Sequence, residues 1–207
     1  MLRYALRVLP RPEMYAGCVA VAALLALVDF RPWLLWQLAG VAVATAGAVT
    51  AYLFDEPAAA IVDTLPRPRW WRTTARLLPA AVLAVGWLVG ASMVDADEVA
   101  RNDVLRWQGF GAILAAAAAA TVLRRRGQPT PGHIVASAML LVLTYFALMN
   151  PIDDELPLFP FGAAGEWNAS RWLWTGIAAF AAVALAATCI ERRTGIARTE
   201  DREERVA

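Results

Sequence analysis

Six apolar runs, Met14–Phe30, Trp33–Phe54, Leu77–Val94, Trp107–Leu123, Ile134–Met149 and Trp172–Ile190, are separated by short stretches that hold nearly all of the charge. A hydrocarbon core about 30 Å thick takes roughly 20 helical residues to cross, and somewhat fewer where the bilayer thins or flanking side chains reach outward. Inside lipid every backbone N–H and C=O needs an internal partner, which a helix provides within its own segment. The runs therefore predict an all-α membrane protein with six transmembrane helices. Composition agrees, since 59% of the residues are hydrophobic and 18% are charged. A formal net charge of +1 with no isolated basic patch argues against nucleic-acid binding.

The interiors of the runs narrow the chemistry. Ionisable groups within a membrane mark ion paths and proton relays, yet Asp29, Asp55, Glu56 and Arg106 all stand at run ends. At mid-depth the only polar groups are small, such as Thr45, Ser92, Ser137 and Thr144, residues that ordinarily bond back to a helix carbonyl. All 19 basic residues are arginine, so neither a Walker A loop nor a Schiff-base lysine can be built. His133 is the single histidine, which leaves no metal site, haem pair or Ser–His dyad. Cys18 and Cys189 sit far apart in apolar runs and read as small buried hydrophobes. No catalytic group, metal ligand or cofactor site is expected in this chain.

Arginine placement predicts the orientation. With the N-terminus inside, 15 arginines fall on inner segments and 4 on outer ones. The bias toward positive charge on the cytoplasmic side, with an even number of spans, places both termini in the cytoplasm. Asp29–Pro32 is then a tight outer turn, Leu123–His133 a short inner turn, and 151–171 the longest outer loop. The start of the chain lacks a convincing cleavage site, so the first run reads as a retained span. Residues 191–207 form a charged cytoplasmic tail. In the outer loop, Asp153, Asp154 and Glu155 are a solvated acidic cluster that could also attract a cation or a basic peptide.

The inner segment 55–76 reads DEPAAAIVDTLPRPRWWRTTAR. Asp55 is placed to cap a short helix, with Glu56 complementing its dipole and Pro57 in the first turn. About two turns follow, with Ala58, Ile61, Val62 and Leu65 on one face, until Pro66 and Pro68 end them. Arg67, Arg69, Arg72 and Arg76 then interleave with Trp70 and Trp71, a mixture suited to the headgroup layer. Two readings fit: a surface helix with no partner, or an element through which a cytoplasmic protein moves the spans.

Six spans, inner termini, a short amphipathic start at Leu2–Leu9, a tight first outer turn, a helical inner loop and a partly apolar last outer loop together resemble the permease subunit of an ABC-2 type exporter. The resemblance is one of topology over nearly the whole chain. It implies that Pro57–Leu65 is a coupling helix, with Asp55, Glu56, Ile61, Asp63, Leu65, Arg67 and Arg69 docking on a separate ABC ATPase, and Trp70, Trp71 and Arg72 holding the membrane interface. ATP and Mg would belong to that partner. It also implies a homodimer, or a heterodimer with a second permease, in the bacterial inner membrane, and an outer segment 151–167 folded as short capping helices. The cargo most compatible with apolar spans is hydrophobic or amphipathic. The competing expectation is a scaffold, accessory or immunity subunit of a larger membrane complex that transports nothing.

Overall fold

The computed structural model describes residues 12–31, 36–55, 69–94, 99–149, 156–160 and 164–190. They form six helices: α1 (Pro12–Phe30), α2 (Gln37–Tyr52), α3 (Arg69–Met93), α4 (Val99–Arg125), α5 (Pro131–Met149) and α6 (Ala164–Ile190). No strand occurs among the described residues. Thr74–Met93 of α3, Pro131–Met149 of α5 and Glu166–Thr188 of α6 are long and apolar enough to cross a bilayer. Met14–Phe30 and Gln37–Tyr52 are shorter apolar helices. These lengths and compositions mark a membrane protein.

Each helix overlaps one of the six apolar runs; α2 lies within its run, and the other five start ahead of theirs, three of them by about two turns. Helices α3, α4 and α6 begin at Arg69, Val99 and Ala164, about two turns ahead of the runs at Leu77, Trp107 and Trp172. Hydropathy locates the segment that suits lipid, whereas the helix continues for as long as its own hydrogen bonds do. The acidic connection before the fourth run is accordingly helical from Val99 onward. The connection before the last run departs from expectation too. Residues 164–167 belong to α6, and 156–160 are not helical. Pro157 and Pro160 fall in that stretch, and each removes a backbone donor. The remainder of 151–167, the amphipathic start and the charged tail lie outside the described residues.

Helices α2 and α4 occupy the centre. Helix α2 packs on α1, α4 and α5, and α4 packs on α2, α3, α5 and α6. The centre closes because its residues are small. Ala39, Ala42, Ala44 and Ala46 of α2 and Ala112, Ala116 and Ala120 of α4 are buried, so backbones approach without side chains between them. Large apolar side chains instead face outward from the peripheral helices, as Val19, Val82, Leu141 and Phe180 do. Such an inside-out distribution suits a hydrocarbon solvent. Thr45 and Ser92 bond to the carbonyls of Val41 and Val89 at 2.8 and 2.7 Å, the back-bonding that their positions suggest.

Trp87 joins α3 to α4. Its indole Nε1 donates to the Leu105 carbonyl at 3.2 Å, and its ring lies directly on Gly109, where an added Cβ would collide with it. Gly109→Ala should therefore push a 98%-buried ring out of place. Overpacking of this kind costs about 1–3 kcal/mol. Urea unfolding in mixed micelles should register that loss, and an unchanged midpoint would refute the packing.

Candidate functional site

The C-terminal end of α2 and the N-terminal ends of α3 and α5 meet in a polar junction. After α2, Phe54 and Asp55 continue in a tight turn, with their N–H groups donating to Ala51 and Tyr52 at 3.0 and 3.2 Å. That turn leaves the Phe54 carbonyl without a helical partner. Arg76, in the second turn of α3 and 6% exposed, fills the gap, its Nη1 donating to that carbonyl at 2.7 Å. The bond closes the root of the 56–68 segment, because Phe54 precedes it and Arg76 follows it.

Asp55 makes the second tie. Its side chain is 1% exposed, and its Oδ1 accepts the Gly132 N–H at 2.5 Å, at the start of α5. Pro131 opens that helix, where its missing N–H costs nothing. Gly132 is needed because a Cβ there would sit 2.7 Å from the Asp55 carboxyl carbon and from both oxygens. The carboxylate also faces the positive end of the α5 dipole, a favourable place for a buried negative charge. Its other oxygen, Oδ2, is buried without a hydrogen-bond partner. His133, with a 65%-exposed side chain, brings Nε2 to 3.9 Å from Oδ2. Tyr52 meets the imidazole edge-on at 5.2 Å, which orients the ring.

Of the residues expected at the docking element, only Asp55 is described with its side chain. Its carboxylate accepts the Gly132 N–H at the start of α5. Arg69, Trp70, Trp71 and Arg72 are in the first turn of α3. Glu56, Ile61, Asp63, Leu65 and Arg67 lie outside the described residues, as do Asp153, Asp154 and Glu155. Sequence reading missed Gly132 and the role of Arg76. The latter left a trace, as the last arginine before an apolar run, two turns inside a helix. Gly132 left little, since a glycine beside a proline also reads as an ordinary breaker.

A second polar cluster occupies the opposite end. Gln108 of α4 and Ser170 and Trp174 of α6, all nearly fully buried, converge on the Leu158 carbonyl. Gln108 Nε2 donates to it at 3.0 Å, Ser170 Oγ at 3.2 Å and Trp174 Nε1 at 2.9 Å. Gln108 Nε2 also reaches Ser170 Oγ at 3.4 Å. Between the two ends, apolar grooves run along the bundle. One of about 520 Å³ lies between α1 and α3 beside Leu25, Gly86 and Gly90. Another of about 690 Å³ lies between α4 and α6 beside Ala118, Gly176 and Phe180. No group of three His, Cys, Asp or Glu side chains that could hold a metal occurs among the described residues. Compared with family models, curated proteins and solved structures, the chain matches none.

Proposed function

We propose that this chain is the transmembrane subunit of an ABC-2 type exporter, moving a hydrophobic or amphipathic substrate while a separate ABC ATPase hydrolyses ATP. In this reading all six helices span the bacterial inner membrane, both termini are cytoplasmic, and 56–68 docks on the ATPase. The supporting observation is the inner junction. Through Arg76 and the Phe54 carbonyl, and through Asp55 and Gly132, both roots of that segment are tied to α2, α3 and α5. A force applied to the segment would reach three helices at once. Each tie places one hydrogen bond of a buried charged side chain at the base of the segment, Asp55 Oδ1 accepting from the Gly132 N–H and Arg76 Nη1 donating to the Phe54 carbonyl.

Purification in mild detergent from the native cell tests the reading. An ABC ATPase should accompany the wild-type chain, and Glu56→Ala combined with Asp63→Ala should lose it. Recovery of the chain without any ATPase would sink the proposal. The close packing of α2 and α4 favours, as a second reading, an accessory or scaffold subunit that pairs with a different membrane chain. Under that reading, substitutions at Glu56, Asp63 and Leu65 leave the complex unchanged.

A further inference from the structure

The outer cluster is organised around one oxygen atom. Gln108, Ser170 and Trp174 present four N–H or O–H donors in total, and three are satisfied at the Leu158 carbonyl. A buried glutamine amide is costly to desolvate, so its position facing inward on the central helix calls for an acceptor. That acceptor comes from a short non-helical strap, 156–160, and not from a neighbouring helix. Beside it the Phe159 ring, 4% exposed, enters an apolar slot. It packs against Trp174 with ring centroids 5.9 Å apart and lies over Gly40, where an added Cβ would be 3.1 Å from the ring and would also strike Ala147. Four helices thus build a receptor for one carbonyl and one aromatic group. The strap starts at the surface, with Leu156 37% exposed, and Pro157 and Pro160 stiffen it so that it docks as a unit.

We infer that this receptor is a binding site for an amide carbonyl carrying an adjoining aromatic or large apolar side chain, and that Leu158 and Phe159 occupy it as the chain's own ligand. The site takes an apolar, peptide-like molecule when the strap withdraws. This gives the amphipathic cargo of the proposed exporter a chemical class and rests on that reading only for the transport step. Binding itself needs no ATPase, so failure here and failure of the docking reading are separable.

The indole N–H signals of ¹⁵N-labelled protein in micelles provide the test. Trp174 reports on the site, and Trp87, bonded to the Leu105 carbonyl, reports on the fold. Phe159→Ala weakens the strap without touching a donor. Hydrogen exchange at the Trp174 indole should rise on the order of tenfold, the effect of losing one such bond, while Trp87 keeps its protection. Millimolar N-acetyl-phenylalanine amide should then restore Trp174 protection, and Gln108→Leu in the same background should prevent the restoration. If Trp87 also loses protection, Phe159→Leu, which keeps more of the packing, is read by the same criteria. An unchanged Trp174 signal in the strap variant, or no restoration by the amide, overturns the inference.

Discussion

Asp55→Ala should destabilise the bundle by about 2–4 kcal/mol, combining a lost hydrogen bond to a buried charge with a lost favourable charge at a helix N-terminus. The Gly132 N–H would be left buried without its acceptor, and the space under α5 would be only partly refilled. Gly132→Ala should fail in the same direction for a steric reason, since its Cβ would stand 2.7 Å from the carboxylate. The two changes act on one contact, so their effects should fall well short of adding. In the double variant the alanine at 132 no longer meets a carboxylate, and it should be less unstable than the sum of the singles. Chemical unfolding of the four proteins in one micelle system closes the cycle. Additive losses would mean that the two residues stabilise the fold separately and that this junction is not a unit.

The all-helical architecture was largely legible because a segment suited to lipid needs a certain length and hydropathy, and both are written in the sequence. Where helices outrun lipid, hydropathy stops informing. Residues 69–76, 99–106 and 164–171 are polar or mixed, yet they continue α3, α4 and α6. The polar sites were far less legible. Asp55 looked like a cap for the residues next to it, because capping is usually local. Its partner Gly132 is remote in sequence, and only packing brings α2 and α5 together. Gln108 likewise stood unremarked near the start of an apolar run. Its acceptor, a backbone carbonyl 50 residues away, has no side-chain signature at all. Trp174 stands near the start of an apolar run, where tryptophans commonly anchor at the interface, whereas here the ring is 2% exposed and its N–H is spent on the strap.

We propose that a cytoplasmic ATPase takes hold of this chain at the segment between α2 and α3. This is tested most directly by placing a photoreactive amino acid at Ile61 or Leu65 in the living cell, with Asp154 as the control on the other side. A covalent adduct with an ABC ATPase chain is expected from positions 61 and 65 and none from position 154. Adducts confined to lipid or to membrane chains at 61 and 65, in cells where the protein is present at its normal level, would contradict it.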